Sequence, residues 1–294
     1  MLSFQSKKGS GIVYIILIIV VTNVFIGALI ALEDNYLINT ISKGALLACN
    51  LYIMYYLLLY MSLSYVFDED NFYIKGIFGL KKVKVPYENI EAYTIETGKI
   101  KGVRLSGVSN NNFALGRSII DKIGVTRMFV TENDFVLYLK TSEINYGVSP
   151  REYVALEKAL KDKNIPKGFY ENNFKKKVAL YKDKKFLFFF SLISLIIIIM
   201  TLNPFILYLT DKLPKTMPLS YDSAFKPVIY GTSKQFAFKQ MVYGALNMLI
   251  LFCMQYATYF HAKYDKKSSY IYIYIALIVA AAFLGIQFRV LINN

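Results

Sequence analysis

One histidine, two cysteines and a short acidic run are the residues from which chemistry would have to be built. His261 is the sole imidazole in 294 residues. A Ser–His–Asp system would have to use it, yet no Gly-x-Ser-x-Gly surrounds any serine and no acid is placed to orient the ring. It stands at the edge of an apolar stretch and reads as an interfacial residue. Cys49 and Cys253 both fall inside apolar runs, so neither a disulfide nor a metal cluster is expected. Asp68-Glu69-Asp70-Asn71 has the letters of a calcium loop but lacks the glycine and final glutamate such a loop needs. It reads as a turn. His-Glu-x-x-His, the P-loop and Gly-x-Gly-x-x-Gly are absent. No catalytic residue, metal or cofactor is expected, and the protein is not expected to be an enzyme.

Leu213-Pro214-Lys215-Thr216 starts like a sortase signal. That signal needs a glycine next and a closing apolar segment with a basic tail, whereas Met217 follows and two further apolar stretches lie downstream. The prolines instead stop a helix from running on.

The chain is 55% hydrophobic with a net charge of +14. It is too apolar for an ordinary soluble domain and too charged for a purely embedded one, which implies membrane spans joined to a polar domain. Nucleic acid would suit the charge, but no nucleic-acid motif is present, and a positive-inside bias accounts for it. No nucleic-acid partner is expected.

A span needs about 20 apolar residues to cross about 30 Å of hydrocarbon. Five stretches qualify: 11–32, 44–67, 186–209, 240–261 and 270–292. The first is too long for a signal-peptide core and is expected to be retained. Lysines close to span ends set orientation. Lys7 and Lys8, then Lys175, Lys176, Lys177, Lys182, Lys184 and Lys185, then Lys263, Lys266 and Lys267 all argue for one side. The expected topology is a multi-pass cell-membrane protein with the N-terminus and polar domain cytoplasmic and the C-terminus outside. Residues 1–67 would hold two spans, 68–165 the domain, 166–185 a basic linker, and 186–294 three spans with an outward loop at 210–239.

Residues 68–163 alternate as strands do, broken by turn residues every few positions. About seven antiparallel strands are expected, with Gly79 in a hairpin turn. Ser149-Pro150-Arg151-Glu152 reads as a capping box opening a final helix, with Val148 and Tyr153 as its staple and Val154, Leu156, Ala159 and Leu160 as its apolar stripe. Val85-Pro86, Ile90, Gly116, Gly124, Phe129, Thr131, Thr141 and Ser149-Pro150 follow the pattern of a bacterial pleckstrin-homology (PH) domain, which this region resembles. The resemblance implies an α+β fold of strands closed by a C-terminal helix, and a docking role without an assured ligand.

Lys99, Lys101 and Arg104 in this domain, with Lys175, Lys176 and Lys177, are expected to meet anionic head groups of the inner leaflet. Within the spans no central charged residue stands out, which argues against an ion-coupled transporter. Asn50, Asn247 and Gln255 are the intramembrane polar residues expected to share a small pocket.

The loop between the third and fourth spans, with Leu213-Pro214, Met217-Pro218, Pro227, Gly231, Ser233 and Lys234, resembles the N-terminal membrane module of SdpI-type bacteriocin immunity proteins. Ser220 stands where that family has histidine, and Phe225 where it has glycine. The candidate contacts of this loop are Ser220, Tyr221, Asp222 and Lys234. The resulting expectation is a non-enzymatic envelope protein of defence or signalling, partnered by the lipid bilayer and an unidentified protein or peptide. The alternative is an accessory or scaffold subunit of a membrane transporter complex.

Overall fold

The computed structural model describes residues 2–168, 180–264 and 266–293. The chain divides into two units, Met1–Ile26 with Ala45–Phe174 and Gly27–Gly44 with Lys175–Asn294.

The first unit starts with a strand, β1 (Leu2–Gln5), then two helices, α1 (Gly11–Leu32) and α2 (Tyr36–Ser62), whose outer ends are counted with the second unit. A four-stranded antiparallel sheet follows in the order β1, β2 (Ser64–Phe67), β3 (Asn71–Gly76), β4 (Lys81–Pro86). Six more strands form a second sheet: β5 (Ile90–Glu96), β6 (Gly102–Ser109), β7 (Ala114–Ile120), β8 (Gly124–Val130), β9 (Val136–Thr141) and β10 (Asn145–Val148), in the order β5-β9-β10-β8-β7-β6. Period-2 alternation puts Tyr65, Phe72, Leu115 and Phe129 on inner faces, where they make one core. The helix α3 (Tyr153–Asp162) closes it by burying Leu156 and Leu160.

Three expectations need correction. Nine strands, rather than about seven, lie between residues 64 and 148, and β10 runs parallel to β8. The two extra strands are β6, in the basic stretch around Arg104, and β2, which is apolar and buried and continues the Leu/Tyr-rich run of α2. Apolar character alone does not separate the end of a span from a buried strand. For the same reason α2 covers 36–62, not 44–67.

The capping box is also absent. The Ser149 hydroxyl accepts from the Thr131 amide (2.9 Å). Lys7 N–H donates to the Ser149 carbonyl and Arg151 N–H to that of Gln5. This extension of β1 holds 149–151 in sheet geometry, so the helix waits until Tyr153. Tyr153 stacks on Phe135 (4.0 Å between ring centres) in place of a staple, and Val154 faces out of the core.

The second unit packs α4 (Lys184–Leu209), α5 (Ser233–Ala262) and α6 (Lys266–Ile292) against one another, with a hairpin of β11 (Thr216–Tyr221) and β12 (Pro227–Thr232) between α4 and α5. Asp183 caps α4 by accepting from the amides of Lys185 and Phe186, and binds Lys266 Nζ (2.5 Å) and the Tyr270 hydroxyl (2.6 Å) at the start of α6. These donors hold its carboxyl well below the usual carboxylate range. Thr232 and Gln235 form a true capping box for α5, so this helix begins seven residues before the expected span and takes up the end of the expected loop. Among the described residues, five helices are long and apolar enough to cross a membrane.

Candidate functional site

Both ends of the α1/α2 pair nearest the strands are built into the domain core. Gly11 and Ile15 of α1 are buried, and Ile53, Leu59, Tyr60 and Leu63 share a cluster with Phe72, Leu115 and Phe129. A side chain at Gly11 would meet the rings of Phe113 and Tyr60 at 2.8 Å, so only glycine lets the helix start there undisturbed. Tyrosine hydroxyls then pin helix to strand. Tyr60 accepts from the Gly9 amide (3.0 Å) and donates to the Gly9 carbonyl (2.7 Å). Tyr65 donates to the Phe129 carbonyl (2.7 Å), and Tyr52 accepts from the Gly107 amide (3.1 Å). A buried phenol needs such a partner, so each bond fixes a position as well as filling space.

Lys7 and Lys8 are used by the domain. Lys7 pairs with Glu132 (3.0 Å) and Asp134, which raises its own pKa and lowers that of Asp134. Lys8 reaches the Tyr60 carbonyl and Ser6, and its burial pushes it down to about 8.

The expected sites fare differently. Lys99, Lys101 and Arg104 are exposed on the β5–β6 connection and on β6, an edge strand. Lys175, Lys176 and Lys177 lie outside the described residues. Asn50 is taken up by Asn23 through a reciprocal amide pair of 2.8 and 3.0 Å. Asn247 is buried and donates to the Tyr243 carbonyl of its own helix, and Gln255 is half-buried. Asn50 belongs to the first unit, Asn247 and Gln255 to the second. In the second unit Gln287 instead donates to the Met200 carbonyl (2.7 Å) and Gln240 (3.3 Å), joining all three helices of the bundle.

The loop residues divide between turn and cleft. Asp222 accepts from the amides of Ala224 (2.9 Å) and Lys226 (2.8 Å), which closes the hairpin turn. Tyr221 stacks on Phe225 (4.3 Å), and the Arg289 guanidinium lies 3.9 Å from the centre of that ring while donating to the Tyr36 hydroxyl. Phe225 thus anchors the hairpin. Ser220 and Tyr221 line a cleft with Tyr36, Lys239, Gln240 and Tyr243. Its water-accessible volume is about 40 Å³. Lys234 is exposed on the first turn of α5.

Sequence reading placed a hairpin at β3–β4, with Gly79 in its turn, but gave its tip no role. Its tip turns through left-handed conformations at Ile77 and Phe78 (φ 51° and 52°). Phe78 and Leu80 are 77% and 89% exposed. Lys81 beside them binds the Tyr55 hydroxyl, and burial, helped by the like charge of Arg127, pushes it down to about 8. The signal in the sequence was Ile-Phe-Gly-Leu followed by Lys-Lys-Val-Lys: an apolar turn next to a basic strand.

The model of the bacterial PH domain matches residues 63–164. An uncharacterized protein of Clostridium acetobutylicum is 42% identical over 258 residues, covering 88% of this chain and 87% of its own length. No solved structure matches.

Proposed function

The chain belongs to one family with the clostridial protein and carries a bacterial PH domain at residues 63–164; on that premise we propose that it is a non-enzymatic multi-pass protein of the bacterial cell membrane that works in envelope defence or signalling. The PH domain is the docking module, on the cytoplasmic side with the N-terminus, and the C-terminus is outside. The hairpin between α4 and α5 is the outward element, comparable to the module of SdpI-type immunity proteins. What supports this reading most is that the PH core contains residues of both α1 and α2. A protein docked on such a domain pulls on the helices directly, whereas a domain on a loose tether could bind without consequence.

Sidedness is supported by the cations Lys182, Lys184 and Lys185 at the start of α4 and by Lys263 and Lys266 between α5 and α6. Deleting the gene is expected to sensitise cells to membrane-active peptides. Complementation with the full chain should restore resistance, and a chain lacking 64–164 should not. Unchanged sensitivity, with a transporter co-purifying, would replace this reading with that of an accessory subunit.

A further inference from the structure

We infer that the β3–β4 hairpin tip, Ile77–Leu80, is a wedge that inserts Phe78 and Leu80 into the headgroup–acyl boundary of the bilayer that α1 and α2 cross, an inference that rests on the membrane reading above. The placement follows from register. Chain leaves α2 at Ser62 and enters β2 at Ser64, and Ser64 pairs with Lys75 on β3. Gly76 and the turn therefore run past the hand-over point and back along the body of α2. Contacts agree. A side chain on Gly76 would meet Leu59 Cδ1 at 2.3 Å, and Lys81 reaches Tyr55. The tip thus lies beside the stretch from Leu59 to Tyr55.

That stretch can be set against the bilayer. The Asn23–Asn50 pair fixes the antiparallel register of the two helices, which brings Leu59 level with Tyr14 and Tyr55 level with Ile18. The 22 residues of α1 span about 33 Å, and a hydrocarbon core of about 30 Å needs nearly all of them. The level of Tyr14 to Ile18 is then about 3 to 9 Å inside the hydrocarbon edge. Apolar side chains confirm that lipid-type surface reaches this far: Val13, near the start of α1, is 66% exposed, and Met61, near the end of α2, is 52% exposed.

The tip has the composition this boundary favours. Two large apolar side chains point out of the fold, and Lys81, Lys82 and Lys84 follow on the next strand, where anionic head groups would meet them. A β-branched residue at positive φ is a rare conformation, and Ile77 holds it. It is half-buried against the core, so the turn is fixed from beneath while Phe78 is turned outward.

The test uses the full chain with Cys49→Ser and Cys253→Ser, reconstituted in vesicles containing phosphatidylglycerol and lipids carrying a nitroxide either near the headgroup or midway along the acyl chain, so that both the boundary and the bilayer centre are probed. Single substitutions Phe78→Cys, Leu80→Cys, Val24→Cys and Glu69→Cys carry an environment-sensitive fluorophore. Val24 is an exposed site well inside α1, and Glu69 is in the turn at the far end of the β2–β3 hairpin. The expected result is loss of fluorescence and a blue shift at 78, 80 and 24, with 69 spared. Quenching at 24 but not at 78 or 80 would overturn the wedge and leave the membrane reading standing. No quenching at 24 would overturn the membrane reading and the wedge with it. Disulfide formation between unlabelled Phe78→Cys copies, with no quenching of the labelled ones, would assign the tip to a second copy of the chain and overturn the wedge.

Discussion

Two hairpins in this protein are basic, aromatic and joined to apolar helices, yet they spend their side chains in opposite ways. The β11–β12 hairpin closes on itself. Asp222 ties its turn, Tyr221 and Phe225 stack, Arg289 covers the stack, and Met217 is buried with Phe236. The β3–β4 hairpin anchors only its base. Phe72 and Ile74 are in the core, while Phe78 and Leu80 have nothing over them. Val228, Ile229 and Tyr230 on β12 stay exposed, so the difference lies in the two turns: one is tied and stacked, and the other presents its apolar side chains.

The contrast is sharpest within β3 itself. Phe72→Ala removes a fully buried ring packed on Tyr65 and Phe67 and is expected to cost about 3–5 kcal/mol. Phe78→Ala, six residues on, is expected to change stability by no more than about 0.5 kcal/mol. Chemical unfolding of the full chain in detergent, followed by circular dichroism, measures both. Comparable losses would mean that the tip is packed and the contrast between the hairpins is wrong.

Phe225→Ala probes the closed hairpin next. It deletes the stack on Tyr221, the edge contact with Tyr36 and the cation–π contact of Arg289, together about 2 kcal/mol. Amide exchange across 216–232 should speed up by roughly thirtyfold. Unaltered exchange would mean that the ring stack does not hold the hairpin and that its closure rests on the Asp222 turn.

How much of this was legible in the sequence follows from what each signal reports. Apolar length located the helices, because the hydrocarbon requirement is a property of composition. Alternation and turn residues located the strand-rich domain. What stayed hidden depended on partners distant in sequence. Ser149 reads as a cap, but the N-terminal strand claims the backbone around it. Val154 fits an apolar stripe, but only Leu156, Ala159 and Leu160 of that stripe meet the core. Asn50 is visible as a polar residue among apolar ones, but its amide pair with Asn23, across the helical hairpin, is not. At the tip, the residues were visible but their depth was not, since that needs the strand register.

Asp222 separates a turn residue from a ligand contact. Asp222→Ala loses two backbone bonds to a carboxylate and is expected to destabilise the hairpin by about 1 kcal/mol, whereas Asp222→Asn keeps an acceptor and should cost less than half of that. If exchange of 216–232 follows this order, the residue's role is to close the turn. A strong functional loss in Asp222→Asn with unchanged exchange would restore it as a contact for a partner.

The pH response of Lys81 distinguishes an open hairpin from a covered one. Burial and Arg127 lower its pKa in the folded chain to about 8, while in the unfolded chain it keeps the ordinary value of 10.5. Between these values the unfolded state binds more protons, so stability rises with pH from about 8 to 10.5. Lys8 adds a rise over the same window. In neutral detergent, Lys81→Met should remove part of this rise and leave the part due to Lys8. In vesicles rich in phosphatidylglycerol, anionic head groups beside the tip would favour the charged amine and pull its pKa back up. The difference in pH slope between the native chain and Lys81→Met should then shrink or vanish. A difference of the same size in detergent and in anionic vesicles would mean that no anion comes near Lys81, and the open hairpin would have to be matched to an uncharged surface.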